Sequence, residues 1–522
     1  MIKTPPRTWR IPLLLALTLL LAVPLWQFSS HTRADYYSQY LYDNVSQYFS
    51  HVDQVYNNTL YRDGANEGQV ASQFNFSSPC DGFPDTSNIT LVMKTGATEA
   101  YSKIPTQLLT SLQCIPDVLM FSDIEQQIGQ YHLYNALDRV DETIKKAHKE
   151  FELYETQQRC PVSQEDCTKD MSGGWDLDKY KFLNMIERTW EMRPNQEWYV
   201  FAEADTYVIW SNLVYWLRVK APREELYVGS VAMINGFPFA HGGSGYVVSG
   251  SMVKKMVESI PNIGSKYDER ATHECCGDLL ISLAVDEAGG KVKQAHPMFN
   301  GEKPSTLPYG PGHWCEPLLT MHHMNSEEVS MVWQYEQTRT NKSEIIQIKD
   351  IYRSFMQPHL KKLRLDWDNL SDDTCYIGED EEDQNRADKD ARNRQVKEED
   401  KNAIEKRAHM SPAACARVCE SAGLGISDDE YNAIEHETER GNFVREKYEE
   451  RRGDDKFTED RNCFQWRYHK GACCTAKSFK LGKPRKENSS DKKWTSGWFV
   501  KGIEDWIKAR GECKSIAWKE PR

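Results

Sequence analysis

The sequence has no excess of positive charge. Its 65 Lys and Arg face 78 Asp and Glu in 522 residues, a formal net charge of −13, which disfavours a nucleic-acid binder working by bulk electrostatics. Its 14 cysteines show no paired C-x-x-C framework, so a structural zinc site is disfavoured and an oxidising compartment favoured. The chain has no internal repeat. Aromatics are plentiful, with 15 Trp and 25 Tyr, and this excludes a wholly disordered or fibrous protein. At about 150 residues per domain, the length allows roughly two to four domains and a large buried core.

The N-terminus bears on the compartment. Ile11 to Phe28 is an apolar run that follows Lys3, Arg7 and Arg10. A basic flank before such a run reads as a signal peptide or a signal anchor. Pro24 interrupts it, which keeps a cleaved signal peptide as the alternative, but no clean small-x-small site directly follows, so the anchor is the reading adopted here. The positive-inside rule then leaves residues 1–10 as a cytoplasmic tail and everything after residue 30 in a lumen. Seven Asn-x-Ser/Thr sequons agree: Asn44, Asn57, Asn75, Asn88, Asn341, Asn369 and Asn488. Residues 29–87 hold the first of them without helical or strand period and read as a glycosylated stem.

Strand signals begin at Ile89–Met93, and a second apolar strand runs from Val118 to Phe121. The segment between them is long enough for a crossover helix, giving a βαβ start. Leu133, Leu137, Val140, Ile144, Ala147 and Phe151 fall on one stripe that predicts a single helix. Leu183, Ile186 and Trp190 predict another, ahead of the strand Trp198–Ala202. Alternating strands and helices imply an α/β core with a mostly parallel sheet. Residues 371–408 open with a run of acids and read as a charged linker. A second charged stretch, 427–462, interrupts a cysteine-rich C-terminal module over 409–522.

The segment that points to chemistry is Trp198-Tyr-Val-Phe-Ala-Glu203-Ala-Asp205-Thr-Tyr-Val208. An apolar strand ends there in two acids one residue apart. Ligands gather at the carboxyl ends of strands in open α/β sheets, and carboxylates there can hold a hard divalent cation. Taken alone, such a triplet is more often a solvated strand end. It is followed by His241-Gly242-Gly243-Ser-Gly-Tyr-Val, Cys276-Gly277-Asp278-Leu-Leu, Gly310-Pro-Gly-His-Trp-Cys315 and Leu318-Leu-Thr-Met-His322-His323. In this order, across residues 88 to about 335, the segments resemble the fringe and core 1 β1,3-galactosyltransferase family (glycosyltransferase family 31).

The resemblance implies a GT-A type, Rossmann-like domain over 88–370, a UDP-sugar donor, Mn²⁺ and inverting transfer that makes a β-linkage. Asp205 and His322 would then bind the metal, with His323 the alternative imidazole and Glu203 assisting directly or through water or ribose. Asp278 would be the general base. Gly242 and Gly243 would let backbone approach the donor sugar, and Lys94, Thr95 and Asp123 are candidate uridine contacts. The sequence departs from the family in two places. Glu203 stands where the family usually has Asp, and Gly277 precedes Asp278 where many relatives have an acid, which leaves Glu274 as a rival base. Asp278 also fits a purely structural role at a helix N-terminus, and His322 and His323 fit ordinary half-buried histidines.

The C-terminal module resembles a PAN/apple domain: Cys415-Ala-Arg-Val-Cys419 matches its helix, Cys463-Phe-Gln-Trp-Arg-Tyr468 with Cys473 its paired strands, and Ser496-Gly-Trp498 its closing strand. That likeness implies Cys419–Cys463, Cys415 with Cys473 or Cys474, and Cys375–Cys513. Spacing suggests Cys80–Cys114, Cys160–Cys167, and Cys315 with Cys275 or Cys276. The expected protein is a Golgi membrane, single-pass type II glycosyltransferase that moves a hexose or N-acetylhexosamine from UDP-sugar to a glycan or glycoprotein hydroxyl, in β1,3 linkage. The competing expectation is an inactive lumenal glycan-binding or adaptor protein on a transferase fold.

Overall fold

Three runs rich in β-branched and aromatic residues form the middle of a sheet, as their composition predicts. In the computed structural model, which describes residues 78–489 and 492–521, they are β1 (Ile89–Lys94), β2 (Val118–Ser122) and β5 (Trp198–Glu203). With β3 (Gln126–Ile128), β4 (Tyr131–Asn135), β6 (Tyr227–Gly229), β7 (Tyr246–Ser249) and β8 (Val292–Gln294) they make one sheet in the order β8-β6-β7-β5-β1-β2-β4-β3. The β5-β1-β2-β4 centre is parallel, and β7 runs against both β5 and β6. The protein is therefore α/β with a parallel-rich sheet. The expected signal anchor (11–28), most of the stem and the sequons at Asn44, Asn57 and Asn75 lie outside the described residues. Among the described residues, no helix is long and apolar enough to cross a membrane.

The central strands read as continuous apolar runs because both faces are covered. Val92, Tyr199 and Phe201 pack on one side with Leu183 and Ile186 of α2 (Gly174–Met192). Leu91, Met93, Trp198 and Val200 pack on the other with Ile104 and Leu108 of α1 (Ala100–Leu109). Helix α1 is the expected crossover. The stripe from Leu133 to Phe151 is not one helix. Leu133 lies in β4, and the Asn135 Oδ1 accepts the Leu137 N–H at 2.8 Å, which turns the chain. Asp141 then caps a short helix over Glu142–Ala147, and another covers Phe151–Arg159. All of these apolar residues but the exposed Ala147 are buried as their spacing suggested, but a strand, a turn and two short helices bring them there.

A second, antiparallel sheet has the order β9-β13-β11-β12-β10: β9 (Leu363–Leu365), β10 (Thr374–Tyr376), β11 (Gln465–His469), β12 (Ala472–Ala476) and β13 (Thr495–Trp498). It begins before residue 371, so the division at 370 cuts through it. The charged 371–408 segment is not a solvated linker. It supplies β10 and short helices, and it buries Asp383 and Lys401, whose ammonium donates to the Ile377 carbonyl at 2.8 Å. The 427–462 stretch is helical too, chiefly over Glu437–Arg451.

Cys415 and Cys419, on α4 (Pro412–Ser421), pair with Cys473 and Cys463. Cys80–Cys114 and Cys160–Cys167 form as spacing suggested. Three expectations are corrected: Cys375 pairs with Cys474, Cys315 with Cys513, and Cys275 with its neighbour Cys276. Cys375 and Cys474 face each other in the β10–β12 register, a placement no spacing reveals. Cys315–Cys513 ties the first sheet's part of the chain to the end of helix α5 (Val500–Arg510).

The two parts share a core. Tyr207, Met321 and Trp314 are clustered with Phe464, Phe479, Trp498 and Trp506, and Pro79–Arg522 forms one compact unit. Trp314 and Trp506 are each almost fully buried, with ring centroids 5.3 Å apart. The C-terminal module is thus a buttress, and its aromatic side chains press on the segments that carry the site.

Candidate active site and metal group

Two ladder registers build the site. In β1 and β5 the last paired residues are Lys94 and Glu203, side by side at the carboxyl edge of the sheet. Beyond Asp205 the chain forms a two-residue strand, Tyr207–Val208, that pairs antiparallel with Thr320–Met321. That short ladder carries the next residues, His322 and His323, back over the acids. It is fixed further by the Met324 N–H donating to the Asp205 carbonyl at 3.0 Å.

Asp205, His322 and His323 each offer one ligand atom, and these lie within 4.8 Å of one another. The His322 Nε2 stands 3.2 Å from the Asp205 Oδ1 and 3.8 Å from the Glu203 Oε2. Burial opposes a charge on His322, but the two carboxylates prevail and raise its pKa to about 9. Burial and the charge on His322 push His323 the other way. His323 sits at φ +58°, a left-handed conformation that costs a non-glycine residue about 1 kcal/mol or more. The strained backbone sets its ring 3.9 Å, centroid to centroid, from that of His322.

One carboxylate and two imidazoles suit a divalent transition-metal ion, and the buried His322 Nδ1 has no hydrogen-bond partner. The residues present fit a metal. Glu203 lies outside this group because Lys94 holds it at 3.1 Å. Burial disfavours its charge, yet Lys94 and His322 keep its pKa well below the usual carboxylate range.

From the site inward runs an alternating chain of charges, Glu203, Lys94, Asp178, Lys181 and Asp123, of which Lys94, Lys181 and Asp123 are buried. Lys181 also donates to the Thr95 carbonyl at 3.0 Å. Lys94, Thr95 and Asp123, expected as uridine contacts, are at most 5 % exposed and do not line the cleft. Lys94 pairs with Asp178 and Glu203, and Asp123 with Lys181. Asp178 and Lys103 were not singled out from sequence. Asp178 lines the cleft, and Lys103 reaches from α1 to within 3.1 Å of Asp205. Only the fold, by placing α1 and α2 against the β1 and β5 edge, reveals them.

Asp278 stands in the first turn of α3 (Gly277–Glu287). Its Oδ2 accepts the Gly242 N–H at 2.8 Å and its Oδ1 the Leu279 N–H at 2.9 Å. Burial pushes its carboxyl above the ordinary value. A carboxylate has about four lone-pair positions, so both oxygens can still accept a further donor. Glu274 is paired with Arg270 at 3.0 Å and does not line the cleft.

The glycines also make room for side chains of the chain itself, and Gly243 lines the cleft. A Cβ on Gly243 would come within 2.1 Å of the His322 ring, and one on Gly277 within 2.2 Å of the Phe182 ring. Their missing side chains make room for site residues of the chain itself, and Gly277 is there because Phe182 is. Gly242 packs against Phe182 and Asp278 and is not on the cleft wall.

The Thr206 hydroxyl donates to the Gly243 carbonyl at 2.7 Å, and the Thr320 hydroxyl to the Ser244 carbonyl at 2.6 Å. The Gly242-Gly243 loop is thereby stitched to both arms of the metal group. Asp278 adjoins Gly242 and His322 adjoins Gly243, so the carboxylate and the metal group flank two consecutive residues. Both open on a single cleft of about 310 Å³. No family model matches the chain, and no curated protein matches it.

Proposed function

We propose that the protein is a lumenal, metal-dependent, inverting glycosyltransferase that moves a hexose or N-acetylhexosamine from a UDP-sugar to a hydroxyl of a glycan or glycoprotein, in β1,3 linkage, on a GT-A type domain anchored in the Golgi membrane. The observation that carries this reading is the juxtaposition, across Gly242-Gly243, of an Asp205–His322–His323 group and a buried carboxylate, Asp278, in one cleft. Asp205, His322 and His323 would hold a divalent ion, Mn²⁺ by the family resemblance, which when bound offsets the negative charge on a departing nucleoside diphosphate.

The residues of the chain divide the remaining work. Lys94 fixes Glu203 and keeps it ionised beside the metal group. Asp278 takes the proton of the acceptor hydroxyl while that oxygen bonds to the anomeric carbon. The bond from that carbon to the diphosphate breaks on the opposite face, so configuration inverts. The raised pKa of Asp278 makes it a stronger base than an exposed aspartate, and the backbone donors from Gly242 and Leu279 hold it in place. Incubating the full-length protein with a panel of UDP-sugars and a glycan array tests the reading. A β-linked product made only with one donor class supports it. No transfer from any UDP-sugar would leave the competing description, an inactive glycan-binding protein.

A further inference from the structure

Several residues that line the cleft take no part in the transfer chemistry. Helix α2 places Trp175, Asp178 and Phe182 at i, i+3 and i+7, on one face, and that face lines the cleft. Phe182 is buried, with the Lys94 ammonium 4.8 Å from its ring centre. Trp175 lies seven residues away, about 10 Å along the axis, and is 67 % exposed.

A single exposed aromatic decides nothing. What surrounds Trp175 does. The same cleft is walled by the Cys275–Cys276 pair, two adjacent half-cystines joined to each other and outside the core, and by Phe239. Cys276 immediately precedes α3 and lies two residues before Asp278. An indole, a pair of sulfurs and a carboxylate acceptor thus wall one cleft, and that combination matches a pyranose. Such a ring has an apolar C–H face, drawn to the negative face of an aromatic ring, and an edge of hydroxyl donors.

We infer that the part of the cleft walled by Trp175 and the Cys275–Cys276 pair is the acceptor subsite and that it holds a saccharide ring, its C–H face against those residues, its hydroxyl edge toward Asp278. The assignment rests on the transferase reading for the word acceptor, while the saccharide site itself stands on these residues. The nucleotide belongs with Asp205, His322 and His323.

Saturation-transfer NMR on the full-length protein tests this with two probes. One is a set of methyl β-galactoside, methyl β-glucoside and methyl α-mannoside; the other is UDP with Mn²⁺. At least one glycoside should receive saturation, concentrated on the C–H protons of one ring face. Trp175→Ala should weaken its binding about tenfold, by loss of the stacking surface, and Trp175→Phe should restore most of it. Mn²⁺-dependent UDP binding should be the same in all three proteins.

Absence of transfer to every glycoside, or transfer that Trp175→Ala leaves unchanged, would overturn the inference. So would loss of saturation at the uracil protons of UDP in Trp175→Ala, which would assign Trp175 to the donor's base. Failure of the wild type to bind UDP, with glycoside binding still dependent on Trp175, would sink the transferase reading and uphold the saccharide site.

Discussion

Asp278→Asn preserves the shape of the side chain and removes its basicity, and the structure sets what else it disturbs. Both carboxylate oxygens accept backbone N–H groups, from Gly242 at 2.8 Å and Leu279 at 2.9 Å. The amide keeps one acceptor oxygen, so one buried N–H loses its partner, at a cost of about 1–3 kcal/mol. Set against a typical stability of about 5–15 kcal/mol, that lowers Tm without unfolding the protein. Loss of the base should lower kcat by about 10²–10⁴, or about 2.7–5.5 kcal/mol of barrier, with Mn²⁺-dependent UDP binding retained.

The pH profile gives a second readout. Burial raises the Asp278 pKa, and the base works only when ionised. The acid limb of wild-type kcat/KM should therefore lie above the ordinary carboxylate value of about 4. Activity should be lost as pH falls through the raised value, and the residual activity of Asp278→Asn should lack that limb. Glu274→Gln is the control, because Glu274 pairs with Arg270 away from the cleft. A collapse of kcat in Glu274→Gln, with Asp278→Asn near wild type, would refute the assignment.

Asn369 is fully buried, its amide donating to the carbonyls of Trp466 and Gly497 at 3.1 and 3.2 Å. Glycopeptide mapping should therefore find its sequon unmodified while the exposed Asn88, Asn341 and Asn488 remain open to modification; a glycan on Asn369 would contradict the packing. Burial raises the pKa of Asp268, which accepts the Asp141 N–H at 2.8 Å, to about 7. The folded state then keeps a proton that the unfolded state sheds near pH 4, so this group's share of stability falls as pH rises from about 4 to about 7. The slope is about 1.4 kcal/mol per unit, and thermal melts of Asp268→Asn should be flatter over that window. Trp506→Ala should cost about 3–5 kcal/mol and lower a single unfolding transition, since Trp506 shares its core with Tyr207 and Met321; two separate transitions would show that the parts fold independently.

The central strands were legible because burial on both faces forces long apolar runs, and α1 and α2 followed from length and period. Asp205, His322 and Asp278 were legible only as segments in a familiar order. What unites them, the Tyr207–Val208 and Thr320–Met321 ladder, is two residues long and leaves no periodicity to read. The stripe from Leu133 to Phe151 misled because helical spacing is also met by a strand, a turn and two short helices around one core. The charged 371–408 segment misled because its charges are satisfied by partners distant in sequence, as when Lys470 and His469 meet Asp388 at 2.9 and 3.0 Å. Lys94 and Asp123 are functional-looking residues at strand ends, but the ammonium groups and carboxylates of β1, β2 and α2 neutralise one another. Trp175 left no signal at all, since its place is set by where α2 starts relative to the Cys275–Cys276 pair.

The measurement that bears most directly on the central claim is UDP release from UDP-sugar in the presence of acceptor glycan, by wild type and Asp205→Ala, with Mn²⁺ and with EDTA. Asp205, two residues past the end of β5, stands 3.2 Å from His322, so wild type should turn over with Mn²⁺, stop in EDTA and recover when Mn²⁺ is returned. Asp205→Ala should keep its circular dichroism and lose both turnover and Mn²⁺-dependent UDP binding. Full turnover by wild type in EDTA, or by Asp205→Ala under any of these conditions, would contradict the account.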